Sequence, residues 1–315
     1  MSRNTDLDEL AARLGAAATR HAPLGSRTTY RVGGTAALGV EPADEDALLQ
    51  VARALDGLDV PVLVVGNGSN MLVADAGFAG LVVVLGAGFQ GLIVEGTEVR
   101  VGGAQALPAL ARRTASAGLT GLEWAVGVPG TVGGAVRMNA GGHGSDTVTT
   151  LEAYRLVDLA TGLAADHPVE DLAAGYRCTS IIVSQVVVEA VFRLAVGDAA
   201  TGRSTIDEIV RWRRANQPGG TNAGSVFTNP PGDSAGRLID ACGGKGLRIG
   251  TAEVSPKHAN FIQADRGGSA DDVHRVMERV RADVAAAFGV ELTTEVRMVG
   301  FDAEPESISI RGADA

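Results

Sequence analysis

The stretch GVPGTVGGAVRMNAGGHG (residues 127–144) places glycine at 127, 130, 133, 134, 141, 142 and 144. Glycine loses more backbone freedom on folding than any other residue, so such a run is kept where main chain must approach something closely. One reading is a tight, turn-rich packing corner. The other is an anion cradle, in which bare backbone N–H groups face a phosphate. Upstream, VVGNGSNMLV (64–73) repeats the theme: a strand ends at Val65, and a Gly-Asn-Gly-Ser-Asn turn adds three short polar side chains to its N–H groups. It too reads either as a polar turn between strands or as a diphosphate loop. Two common nucleotide sites are excluded. Met71 ends the GNGSN run without the third glycine of the dinucleotide fingerprint, and GGKG (243–246) lacks the hydroxyl residue after the lysine and the leading glycine of a P-loop.

Composition narrows the field. The 315 residues suggest two or three domains, and 45% apolar with 20% charged residues builds ordinary cores. A net charge of −10 with only 4% aromatics argues against nucleic acid, which wants a basic footprint and stacking platforms. Cys178 and Cys242 are read as free thiols. The histidines (21, 143, 167, 258, 274) are scattered without ligand spacing, so no metal is expected. No charge-free apolar run of about 18 residues occurs and the first residues lack a signal-peptide core, so the expectation is a cytoplasmic protein without a membrane span.

Along the chain, a helix is expected at 5–19, capped by Asn4 or Thr5, and a second at 44–56, with strands at 62–65 and 81–85. A hairpin turning near Gly96 (92–101), a helix (104–118) and β-rich segments at 150–158 and 181–194 follow. A helix at 204–216, capped by Ser204 and Asp207, opens a third unit. The helix 270–288, with Ser269 as cap, Gly289 as stop and Val273, Val276, Met277, Val280, Val284 and Phe288 as buried stripe, leads to a strand at 291–299. The expected units are 1–86, 87–203 and 204–299, with the acidic tail 300–315 free to return to the first.

TTYRVGGTAAL, VVGNGSNMLV, GLEWAVGVPGTVGGAVRMNAGGHG, GYRCTS, NAGSVFTNP, GRLIDACGGKGLRIG, SPKHANFI and EVRMVG occur in this order across residues 20–300. Together they resemble the UDP-N-acetylenolpyruvoylglucosamine reductase family of peptidoglycan precursor synthesis. The resemblance implies an α+β chain: a two-lobed FAD-binding fold of the vanillyl-alcohol-oxidase (PCMH) type plus a C-terminal substrate-binding domain. It implies non-covalent FAD held by Arg31, Gly66, Asn67, Gly68, Ser69, Asn70, Gly130, Gly134 and Asn139. NADPH would supply hydride by entering the substrate's own pocket in turn, a ping-pong scheme that needs no second dinucleotide domain. The chain lacks the long tyrosine-bearing insertion between 190 and 204, and so resembles the shorter subtype.

The implied reaction reduces a vinyl ether bearing a carboxylate on UDP-N-acetylglucosamine. Hydride adds to the terminal carbon, negative charge builds on the carboxylate, and a proton is then delivered to one face. By the resemblance, Ser225 delivers the proton, Arg177 grips the carboxylate with its planar fork, and Glu295 completes the group. A glutamate beside a carboxylate substrate is expected to hold a raised pKa or a shared proton. Tyr176, Asn229, Arg214, Gln217 and Lys257 are the substrate-binding candidates; the last three belong to a basic cluster that also includes Arg213, Lys245 and Arg248. Thr179 and Thr228 stand where many relatives carry serine and lysine. Three other readings stay open: a paralogue acting on a different enol ether, an oxidase of the wider fold, and a non-catalytic nucleotide-binding protein.

Overall fold

The computed structural model of the chain describes residues 3–301; the expectation that the acidic tail returns to the first lobe lies outside the described residues. In the first lobe, α1 (Arg3–Leu14) begins ahead of the expected cap and ends earlier than the sequence suggests, giving way to a short 3-10 turn at Gly15–Ala17. The lobe's sheet runs in the order Thr19–Pro23, Thr35–Val40, Phe78–Val83, Val62–Val64, with the first pair antiparallel and the others parallel. Parallel neighbours need a crossover, and α2 (Glu45–Leu55) supplies it. The Asp44 carboxylate accepts the Ala47 N–H at its start, and Leu48, Val51, Ala52 and Leu55 are buried.

The second lobe is a five-stranded antiparallel sheet in the order Leu163–Pro168, Leu151–Asp158, Gln185–Arg193, Glu98–Gly102, Leu92–Glu95. The expected hairpin is present, with Gly96 at φ 61° in its turn. Helices α3 (Leu107–Ser116) and α4 (Val132–Met138) share one core with this sheet; Leu110, Ala111, Val132, Val136 and Phe192 are buried there together.

The next helix, α5, spans Ala199–Asn216 and is capped by Asp198, whose carboxylate accepts the Thr201 N–H. The expected boundary at 203/204 therefore falls inside one helix, and Ser204 is a mid-helix residue rather than a cap. The first turn, AATG, carries little periodicity of its own, so the cap at Asp198 is the only strong signal for this start. Ile206 and Ile209 of α5 are buried in the second lobe's core.

The third unit packs α6 (Ala235–Ala241) and α7 (Ala270–Phe288) against a small sheet of Arg248–Ile249, Ala252–Val254 and Ile262–Ala264. The structure of α7 matches its sequence reading at cap and stop, where Ser269 accepts the Asp272 N–H and Gly289 closes the helix at φ 66°. Phe288, expected in the stripe, is 42% exposed in the last turn beside Arg237, while Val273, Val276, Met277, Val280 and Val284 are buried. Each such side chain contributes about 1.5–3 kcal/mol by leaving water. The core of this unit also takes in Tyr30, Val32 and Leu72 from the first lobe.

The strand expected at 291–299 is shorter, spanning Arg297–Val299. Residues 293–295 meet the loop 226–228 through Thr228 N–H to Thr293 O, Glu295 N–H to Val226 O and one isolated bridge between Phe227 and Thr294. A single bridge does not propagate a ladder. Arg297–Val299 pairs instead, in parallel, with Met71–Val73 of the first lobe. Asp75 adds a second stitch: its carboxylate accepts the Ser269 hydroxyl and the Ala270 and Asp271 N–H groups at the head of α7.

Candidate active site

Between the two N-terminal lobes lies a cleft of about 630 Å³. Gly66 and Asn67 line it from the first glycine turn; Pro129, Thr131, Gly133 and Gly134 line it from the second. The turns touch: Asn67 Nδ2 donates to Pro129 O at 3.0 Å, and a Cβ on Gly66 would lie 2.3 Å from Thr131 Oγ1. The packing reading of the glycine run therefore holds, since the glycines let two loops close on each other beside a shared cleft. Ser69 sits behind this contact, its hydroxyl 3.3 Å from where a Cβ on Gly130 would be.

The donor set suits a pyrophosphate. In a chain of net charge −10, the charged residues lining the cleft are Arg27, Arg31 and Arg137 against a single acid, Glu41. Arg31 is exposed at φ 55°, with its N–H donating to the Thr28 carbonyl and hydroxyl oxygens. Arg27 reaches Glu41 at 3.4 Å. Among the described residues, the N–H groups of Gly66 and Asn67 have no protein acceptor. Gly134 is exposed in the wall, its N–H donating to Thr131 Oγ1 at 3.4 Å. The residues present thus fit a dinucleotide: Gly66, Asn67 and Arg31 line the cleft with donors, as does Arg137, whose Nη1 also donates to Ile182 O at 2.6 Å. Arg27 and Arg137 were not singled out from the sequence; for Arg137 the signal was a lone cation inside the glycine run.

Of the other residues assigned to the cofactor, Asn70 and Asn139 spend their side-chain amides on protein partners, and Gly68 packs against Thr28. Gly68, at φ 57°, abuts Thr28 so closely that a Cβ would lie 2.8 Å from the Thr28 Cα, and its carbonyl accepts the Thr29 N–H. Asn70 Nδ2 donates to the Glu295 carbonyl at 3.0 Å. Asn139 ends α4 at φ 39°, is buried, donates to Asp146 and Gly175 O, and accepts the Val148 N–H. These side chains hold the walls together. Their short amides looked ligand-directed because sequence gives the group and not its partner.

The second centre of the site joins distant segments. Arg177, at φ 59°, donates from Nε to Glu295 Oε1 at 2.9 Å and from Nη2 to Gly141 O at 2.9 Å. The short bridge between Gly175 and Cys178 makes the turn that presents it. Thr179 pins the same loop by donating to Arg137 O at 2.6 Å. The Glu295 N–H donates to Val226 O, the carbonyl next to Ser225. Ser225, half-buried, follows Gly224 at φ 81°. Arg177 and Glu295 are therefore brought together, and Ser225 is the neighbour of the residue whose carbonyl holds the Glu295 N–H. Burial raises the Glu295 carboxyl above its ordinary range, and Arg177 opposes that rise without cancelling it. The cause is desolvation by the protein, where sequence reasoning invoked the substrate's charge.

The substrate-binding candidates are placed unevenly. Tyr176 is 67% exposed, with the Arg177 guanidinium 5.2 Å from its ring centroid. Asn229 is exposed and its Oδ1 accepts the Ala235 N–H at the start of α6. Arg214 is exposed, and its carbonyl accepts the Lys257 ammonium. Gln217 carries a buried Oε1 with no partner, an acceptor awaiting a donor. Within the basic cluster, Lys245 pairs with Asp240, and Arg248 with Glu253 and Asp265, so both are neutralised locally. Thr228 turns its hydroxyl to Thr293 O. Arg213, which burial pushes towards its neutral form, lies against Gly127 and lowers the His143 pKa that burial already depresses.

Comparison with known proteins agrees with this architecture. Residues 216–299 match the model of the UDP-N-acetylenolpyruvoylglucosamine reductase C-terminal domain, and residues 36–166 match an FAD binding domain. The chain is 43% identical over 288 residues to UDP-N-acetylenolpyruvoylglucosamine reductase 2 of Symbiobacterium thermophilum, covering 89% of this chain and 92% of that one. It is 43% identical over 292 residues to the UDP-N-acetylenolpyruvoylglucosamine reductase of Rubrobacter xylanophilus, covering 91% and 97%. The crystal structure of UDP-N-acetylenolpyruvylglucosamine reductase from Thermus caldophilus superposes with a TM-score of 0.78 at 34% identity, over 90% of this chain and 98% of that one. By these matches the chain belongs to the UDP-N-acetylenolpyruvoylglucosamine reductase family, a family of flavin-dependent oxidoreductases of peptidoglycan synthesis.

Proposed function

We propose that this chain catalyses the NADPH-dependent, FAD-mediated reduction of UDP-N-acetylglucosamine enolpyruvate to UDP-N-acetylmuramate in the cytoplasm. The observation that carries the reading is the meeting of Arg177, Glu295 and the Ser225–Val226 segment. FAD held between the two glycine turns would supply the hydride chemistry, re-reduced by NADPH, for addition at the terminal vinyl carbon of the substrate. The Arg177 guanidinium, already turned to one carboxylate, offers its remaining N–H groups to the substrate carboxylate. As the vinyl carbon accepts hydride, charge moves onto that carboxylate, and a fixed cation in a partly dry site stabilises it more than water does. Ser225 Oγ gives its proton to the carbon next to the carboxylate and is reprotonated from solvent. Glu295, protonated more readily than an ordinary glutamate, donates a hydrogen bond to the developing enediolate. The orphan Gln217 Oε1 and the exposed Tyr176 suit the sugar-nucleotide part.

The test is direct. The purified protein should be yellow, bleach with NADPH in the absence of oxygen, and recolour with UDP-N-acetylglucosamine enolpyruvate. A colourless protein, or a yellow one that NADPH leaves yellow, would refute the proposal. A ternary complex of enzyme, NADPH and substrate would refute the ping-pong order.

A further inference from the structure

We propose that Asn70 is a positioning residue for Glu295: the last residue of the first glycine turn sets where the buried carboxyl stands. The inference rests on the reading of Glu295 as part of the active site and goes beyond it by naming what holds it there.

Three observations carry it. Asn70 Nδ2 donates to the carbonyl of Glu295 itself at 3.0 Å, across 225 positions of sequence. The Asn70 carbonyl accepts the Arg297 N–H at 3.0 Å, so one residue grips the 295–297 segment through both its side chain and its main chain. The segment lacks a ladder of its own before Arg297; the Glu295 and Val296 N–H contacts to Val226 O, the Arg177–Glu295 ion pair and the buried Val296 side chain fix its other side. Glu295 is thus held by point contacts, and Asn70 makes the contact from the lobe that lines the cofactor cleft. Its neighbours in the turn, Gly66 and Asn67, line that cleft. A shift of the 66–70 turn therefore moves Glu295 relative to Arg177, which sits on a different lobe and is anchored separately to Gly141 O. Placement of this kind has large kinetic leverage, since misplacing a reacting group by about 1 Å can cost on the order of 100-fold in rate.

The contact needs a donor. Asn70→Ala deletes it without adding a charge, and Asn70→Ser restores a shorter donor. The backbone bond to Arg297 and the Met71–Val73 pairing with Arg297–Val299 survive in both variants. The readout is the titration of Glu295, followed by carbon NMR on protein with labelled glutamate and assigned with Glu295→Gln, first without flavin and then with it. Alongside it run the two half-reactions, flavin reduction by NADPH and flavin reoxidation by the enolpyruvyl substrate.

Asn70→Ala, which adds no charge beside Glu295, is expected to lower the Glu295 midpoint towards the ordinary carboxylate range, as the group moves into water. It should slow reoxidation by about tenfold to 100-fold while leaving flavin reduction within about twofold, and Asn70→Ser should recover part of both effects. An unchanged Glu295 midpoint in Asn70→Ala would overturn the proposal. So would a loss confined to flavin affinity, which would make Asn70 a cofactor contact instead. Full reoxidation in Glu295→Gln would remove Glu295 from catalysis, and the titration would still decide whether Asn70 places it. If Asn70→Ala fails to fold, Asn70→Ser replaces it, with smaller shifts in the same directions.

Discussion

Removing Arg177 should destabilise the protein in a pH-dependent way that exposes the state of Glu295. The side chains of Arg177 and Glu295 are only 26% and 15% exposed, and their contact is a single 2.9 Å bond. Breaking a fully buried ion pair costs about 3–5 kcal/mol because the surviving charge is stranded. With this residual exposure, a cost of about 1–3 kcal/mol is expected for Arg177→Ala once Glu295 is ionised. Burial already raises the Glu295 pKa and Arg177 restrains it, so the variant should raise it further. A carboxyl whose pKa is raised by folding contributes stability below its unfolded value, near about 4.3, and loses it as pH rises through the folded value. The gap in unfolding free energy between wild type and Arg177→Ala should therefore be small at about pH 4 and largest at about pH 8. Urea unfolding across that range reads it, and Glu295→Gln in the Arg177→Ala background should flatten the dependence. A gap of equal size at both ends would refute the argument. The backbone adds a second comparison. Arg177 sits at φ 59°, where a side chain costs about 1 kcal/mol, so Arg177→Gly should be more stable than Arg177→Ala by roughly that amount.

Further outcomes follow from other contacts. Ser225→Ala should bleach normally with NADPH and recolour about 100-fold to 10,000-fold more slowly in stopped flow; equal recolouring would remove Ser225 from proton delivery. Gly66→Ala drives a methyl to 2.3 Å from Thr131 Oγ1, the cap of α4, so it should lose about 1–3 kcal/mol of stability and most of its flavin on desalting. Thr131→Gly in the same chain should return part of the flavin, and flavin retention by Gly66→Ala alone would contradict the tight contact. Gln217→Leu removes a buried acceptor without a partner, so it should leave melting unchanged or raised while increasing KM for the sugar nucleotide. A lowered melting temperature with unchanged KM would show that Gln217 serves the fold alone.

What sequence could reveal depended on whether an element carried its own instructions. Helix α7 was legible because stripe, cap and stop agree within one segment. The segment 291–296 was not, since its partner is a loop from elsewhere and its alternation has no sheet to join. The start of α5 was missed because Asp198 precedes a turn of small residues with no apolar periodicity. In the site, the residue types of Arg177, Ser225 and Glu295 were readable through resemblance, but their hydrogen bonds were not. Asn70 and Asn139 show why: an amide can face a ligand or a neighbouring carbonyl, and only the fold chooses.

The parallel pairing of Met71–Val73 with Arg297–Val299 has a consequence for biogenesis. During translation the first lobe emerges early, yet one of its strands has no partner until residue 299 has left the ribosome, and Tyr30, Val32 and Leu72 wait equally long for their core. Loop closure over such a span is slow and entropically costly. The nascent lobe therefore stays incompletely paired and packed until synthesis is nearly finished.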